Sequence, residues 1–79
     1  MSPKFPAVTS EEVVSVLTKI GFRFKRQSGS SHAVYFRDRD GKRTTVPSHS
    51  GKIIKRKTLK SILADVGLTT TEFIELRKK

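Results

Sequence analysis

Cysteine is absent from this 79-residue chain, and acidic residues are few. Without cysteine there is no disulfide framework and no thiolate metal site. A cytoplasmic setting is compatible with that absence. No run approaches the roughly 20 apolar residues of a membrane span, so no spanning helix is expected. Met1–Ser10 lacks the pattern of a signal peptide. No carboxylate pair is spaced for glycosidase-type work, and no GxxxxGK[ST] loop is present to cradle a nucleotide phosphate. Internal repeats and low-complexity stretches are missing too. At this length one domain over residues 1–79 is expected, with one thin core.

Basic charge is plentiful. Lys and Arg number 17 against 7 Asp and Glu, a net charge of +10. The excess is spread along the chain: Arg23, Lys25, Arg26, Arg37, Arg39, Lys42, Arg43, Lys52, Lys55, Arg56, Lys57 and Lys60. Such a spread implies a charged face rather than a tail. Nucleic acid is the leading partner class, ahead of an acidic protein or an anionic membrane surface.

The hydrophobic pattern changes period along the chain. Met1–Val8 holds two prolines and reads as a lead-in. Thr9 to Glu12 forms a capping box, stapled by Val8 and Val13. Val13, Val16, Leu17 and Ile20 follow the i, i+3, i+4, i+7 rule of one helical face, and Gly21 is a natural stop. From Phe22 the period is two. Phe22 and Phe24 alternate with Arg23 and Lys25, which predicts a half-buried strand. Ser28-Gly29-Ser30-Ser31 is a turn, His32–Arg37 a second strand, Asp40-Gly41 a hairpin signal, and Arg43–Val46 a third strand ended by Pro47. Leu59, Ile62, Leu63 and Val66 form a second helical stripe, with Gly67 as its stop. Thr69 to Glu72 is another capping box, stapled by Leu68 and Phe73, and opens a short last helix.

Two amphipathic helices and three antiparallel strands bury best as a two-layer α+β sandwich with both helices on one sheet face. The other face then meets solvent, and Arg23, Lys25 and Arg37 are placed on it or at its edge. His32 shares strand phase with Val34 and Phe36, which read as inward-facing. A regular strand would therefore aim His32 at the core, unless a bulge or turn at this first strand position re-aims it.

His32 is the leading candidate for chemistry. A histidine titrates near neutral pH, so it can take a proton and return one. Cleavage of RNA at its own 2′-hydroxyl needs that hydroxyl deprotonated, the 5′-oxygen protonated and the phosphate's developing charge stabilised. The Gly/Ser turn supplies backbone N–H groups and hydroxyls, and nearby cations supply charge. The bland alternative is a surface or packing histidine. His49 is the other histidine, in the loop Ser48-His49-Ser50-Gly51-Lys52, and reads as a loop hydrogen bond or a phosphate contact. Two histidines without cysteine make a poor zinc set, so no metal is expected. Lys55, Arg56 and Lys57 crowd a helix start, where cations oppose the macrodipole unless an anion binds among them. Phosphate contacts are therefore assigned to Lys52, Lys55 and Lys57, with solvation as the plain alternative. Tyr35 and Phe36 could stack on bases if exposed, although Phe36 reads as core.

The ordered set Gly21-Phe22, Arg26-Gln27, Gly29-Ser30-Ser31-His32 with Tyr35, Gly41-Lys42-Arg43, Val46-Pro47-Ser48-His49-Ser50-Gly51, Thr58-Leu59-Lys60-Ser61-Ile62-Leu63 and Gly67-Leu68 resembles the HicA (YcfA-like) toxins, mRNA interferases of HicAB type II toxin–antitoxin systems. The resemblance runs from about Glu11 to Leu76. It implies a double-stranded-RNA-binding-domain-like α-β-β-β-α two-layer sandwich, here with a short C-terminal helix. It also implies that His32, after the Gly-Ser turn and three residues before Tyr35, is the catalytic histidine. Two positions depart from the family's pattern: Ser30-Ser31 stands where one serine is common, and Lys57 where a small residue precedes Thr-Leu.

The resulting expectation is a cytoplasmic toxin endoribonuclease that cleaves mRNA with His32 and no metal or cofactor, arrests growth, and is neutralised by a HicB-type antitoxin. RNA contacts are expected from Arg26, Ser28, Gly29, Ser30, Ser31, Lys52, Lys55 and Lys57, with His49 as a further loop or phosphate contact. The alternative is a non-catalytic RNA-binding module of the same fold.

Overall fold

The computed structural model describes residues 7–29, 31–48 and 52–78. Its first helix, α1 (Ser10–Lys19), starts where the sequence places it. Thr9 caps it, and the Thr9 hydroxyl and Glu12 carboxylate satisfy each other's backbone N–H groups. Val8 and Val13, the expected staple, are both fully buried. Gly21, at φ 96°, turns the chain out of the helix in a conformation that costs a side-chain-bearing residue dearly.

Three strands follow: β1 (Arg23–Ser28), β2 (His32–Arg37) and β3 (Lys42–Pro47). They form an antiparallel sheet in the order β1-β2-β3, so both outer strands are edges. Pro47 ends β3, as a residue without an N–H should. Helices α2 (Arg56–Val66) and α3 (Thr70–Lys78) complete the chain. Gly67 stops α2 in the left-handed region at φ 77°. Thr69 and Glu72 form the second capping box, with N–H to side-chain distances of 2.9 and 3.1 Å. The architecture is α+β with α-β-β-β-α order and a short last helix, as expected.

Both helical stripes bury against one sheet face. Val13, Val16 and Leu17 of α1 meet Leu59, Ile62, Leu63 and Val66 of α2 in one core that also holds Phe22, Val46, Ile54 and Phe73. Thr44 of β3 is buried beneath α2 and donates to Asp65 at 3.0 Å. The lead-in is not loose at its end. The Ile54 N–H donates to the Val8 carbonyl at 2.8 Å, and Thr9 bridges to Ile53. This pins the segment before α2 beside the start of α1.

Three expectations need correction. Every residue of β1 is exposed, Phe24 at 54% included, because β1 overhangs as an edge strand and Phe22 enters the core just before it. Arg37 is only 7% exposed, on the helix-facing side, and does not line the open face. Its guanidinium lies 4.6 Å from the Phe22 ring centroid and donates to the Ile20 carbonyl, which makes its burial tolerable. The strand phase of β2 is also the reverse of that expected. Ala33 opposes the core residue Val46, and Tyr35 opposes the buried Thr44. Ala33, Tyr35 and Arg37 therefore face the helices, while His32, Val34 and Phe36 face outward.

Candidate nucleolytic site

His32 is exposed at the first position of β2. It stands opposite Ser28 on one side and Pro47 on the other, so it closes the mouth of the β1–β2 turn. The Ser48 N–H donates to the Ser31 carbonyl at 2.7 Å, which ties the end of β3 to that turn. The reversed strand phase explains the exposure. No bulge at His32 is needed to turn it from the core.

A cleft of ≈ 360 Å³ opens beside it, lined by Ser10, His32, Pro47, Lys52, Ile53, Ile54, Lys55 and Thr58. Three parts of the chain converge there. The Ser10 hydroxyl donates to the Pro47 carbonyl, fixing the start of α1 against the end of β3. The Val8–Ile54 hydrogen bond and the Thr9–Ile53 bridge bring the segment with Lys52 and Lys55 to the same place. Lys55 is the N-cap of α2 and makes no side-chain cap bond, and the first turn carries no acidic residue. Unpaired N–H groups at a helix start favour an anion, and two lysines in the cleft add to that preference. An imidazole, two lysine side chains and a helix start therefore share one opening. That set suits a phosphate with a reacting hydroxyl beside it.

The structure gathers some expected residues and separates others. Lys52 and Lys55 line the cleft with His32. Ser28, Gly29 and Ser31 belong to or flank the adjoining turn, with Ser28 directly across from His32. Arg26 pairs with Val34, two residues along the same face as His32. Lys57 is exposed on the first turn of α2 and does not line the cleft. Ser30 and His49 lie outside the described residues.

Ser10 and Thr58 line the cleft without having been singled out from sequence. Ser10 reads only as the second residue of a capping box. Its link to Pro47 spans 37 positions, and no local pattern reports such a contact. Tyr35 turns away from His32. It is half-buried on the helix side, in an edge-to-face pair with Phe24 at 5.9 Å.

Among the described residues, no three His, Asp or Glu side chains gather as a metal set. No helix among them is long and apolar enough to cross a membrane. The sequence model of the family described as HicA toxin of bacterial toxin–antitoxin matches residues 10–68. No curated protein matches the chain. The matched span runs from Ser10 to Leu68 and so includes every described residue of the cleft.

Proposed function

The chain belongs to the HicA toxin family of bacterial toxin–antitoxin systems, toxins that cleave mRNA, and from that premise we propose a metal-independent mRNA interferase centred on His32. The observation that carries this reading is the shared cleft, where His32 stands exposed with Lys52 and Lys55. A phosphate drawn to the lysines and the start of α2 brings its neighbouring ribose to the imidazole.

The step is an attack by the 2′-oxygen on the adjacent phosphorus. The bond from phosphorus to the 5′-oxygen breaks. His32 acts as general acid or base, taking the 2′-hydroxyl proton or delivering one to the leaving 5′-oxygen, and water serves the other transfer. The lysines and the N–H groups of the turn balance charge on the phosphoryl oxygens. The products are a 2′,3′-cyclic phosphate and a 5′-hydroxyl. A HicB-type antitoxin with an acidic surface, seated over the cleft, would neutralise the toxin by blocking phosphate entry.

The test is induced expression of the wild type beside His32→Ala, with growth and full-length mRNA followed together. The wild type should arrest growth and fragment mRNA, and a folded His32→Ala should do neither. Purified protein should cleave RNA in excess chelator and leave 5′-hydroxyl ends. Equal cleavage by both chains would remove His32 from the chemistry. Bound but intact RNA would leave an RNA-binding module. Products with 5′-phosphates would rule out the 2′-hydroxyl route.

A further inference from the structure

The sheet's outward face has a charge pattern that the cleft does not use. Opposed residues of an antiparallel ladder share a face. The register sets Ser28, His32 and Pro47 in one row, Arg26, Val34 and Thr45 in the next, and Arg23, Phe36 and Arg43 in a third. A bulge between Phe24 and Arg26 lets Lys25 join that face, with its ammonium 4.5 Å from the Phe36 ring centroid. Lys25, Arg26 and Arg43 thus share the face that begins at His32 with the half-buried Phe36 ring.

Nothing acidic offsets them on the strands. The three strands contain no Asp or Glu. Glu11, Glu12, Asp65, Glu72 and Glu75 lie on the helices, and Asp38 and Asp40 in the β2–β3 turn. Those two are already held by Arg23 and Arg37. Among the described residues, Lys25, Arg26 and Arg43 have no ion pair. A cavity of ≈ 370 Å³ lies at the far end of the face, lined by Arg23, Phe24, Lys25, Phe36 and Asp38.

We propose that this face carries the single-stranded RNA flanking the cleaved phosphate, with Lys25, Arg26 and Arg43 on its backbone and the Phe36 ring under one of its bases. The proposal rests on the reading of the His32 cleft only for where the cleaved phosphate sits. Phe36 is four residues beyond His32 on β2, about 13 Å along an extended strand. That is the length of about four stacked nucleotides, fewer if the strand is stretched. Backbone cations interleaved with a ring form the usual single-strand surface, because every base offers a face to stack. A base entering over Phe36 displaces Lys25, whose ammonium then meets a neighbouring phosphate.

The experiment measures binding of 2′-O-methyl RNA of increasing length to the full chain, since that modification blocks the attacking oxygen. Wild-type affinity should climb with length. Lys25→Ala/Arg43→Ala should lose tenfold or more on the longer RNAs and little on the shortest. Its salt slope should shrink by about 1.4, two phosphates at roughly 0.7 each for a single strand. Phe36→Leu, which keeps an apolar group there, should weaken the longer RNAs without changing the slope. Unchanged length dependence and slope in the double variant would overturn the proposal. So would a double variant that loses affinity only for an acidic antitoxin. Cleavage of unmodified RNA is scored separately: a wild type that cuts nothing sinks the catalytic reading, while the binding series still decides the RNA path.

Discussion

Arg37 holds Asp40 by two hydrogen bonds, Nε to Oδ1 at 3.1 Å and Nη2 to Oδ2 at 2.8 Å. The same guanidinium donates from Nη1 to the Ile20 carbonyl at 2.9 Å. One buried cation thus ties the β2–β3 turn to the end of α1. The hydrogen bonds from Arg37 come first among the causes that hold the Asp40 carboxyl at about 2, against an ordinary 3.8. A depressed carboxylate stabilises the fold above its unfolded value, and that contribution is lost as pH falls through the folded value. The wild type should therefore lose more melting temperature than Asp40→Asn between about pH 4 and pH 2. Parallel melting curves for the two chains in that window would disprove the linkage. Arg37→Met, which leaves the Ile20 carbonyl without its donor, should cost about 2–3 kcal/mol at neutral pH.

Phe22 and Phe24 separate two readings of one pattern. Periodicity treats them alike, but Phe22 is 2% exposed and Phe24 is 54% exposed. Phe22→Ala should cost about 3–5 kcal/mol through lost burial and a cavity. Phe24→Ala loses only its edge contact with Tyr35 and should cost about 1 kcal/mol or less. Denaturant midpoints of the two variants check this. Comparable losses would mean that Phe24 is buried as Phe22 is.

The helices were legible because their signals are local. Capping boxes, staples and stripes lie within a few residues of one another, so Thr9, Glu12, Thr69 and Glu72 could be placed from sequence alone. The phase of β2 was not legible. Its central position gives apolar residues to both faces, and Val34 is only 7% exposed on the outer one, so alternation points both ways. Residue type likewise places a cation in solvent, whereas Arg37 finds its partners only in three dimensions. At the cleft, His32, Lys52 and Lys55 stood out by residue type. Ser10 and Thr58 did not, because the contacts that bring them there join distant parts of the chain.

Gly67 is a sharp test of helix termination. Its φ of 77° lies in the left-handed region. An added Cβ would sit 3.1 Å from the Lys42 ammonium, the far end of a side chain that can move away. Backbone strain is therefore the main cost, about 1–2 kcal/mol for Gly67→Ala. Thermal unfolding of Gly67→Ala with Lys42→Ala as background separates the two terms. If removing the Lys42 side chain restores the stability, the steric contact and not the backbone sets the cost.

The three lysines near the start of α2 are equivalent by composition but not by position. Lys52 and Lys55 line the cleft with His32, and Lys57 does not. Each phosphate neutralised on a single strand adds about 0.7 to the slope of log affinity against log salt. Lys52→Ala and Lys55→Ala should each remove about that much, and each should lower kcat/KM for cleavage by about tenfold or more, the range of a charge-assisted hydrogen bond. Lys57→Ala should leave the slope and cleavage nearly unchanged, since Lys57 lies outside the cleft and, on α2, off the sheet's outward face. Salt titrations with uncleavable RNA, paired with rates on cleavable RNA, read both effects. Equal losses from all three lysines would mean that the whole first turn of α2 meets RNA. The phosphate would then sit on the helix start rather than in the opening beside His32.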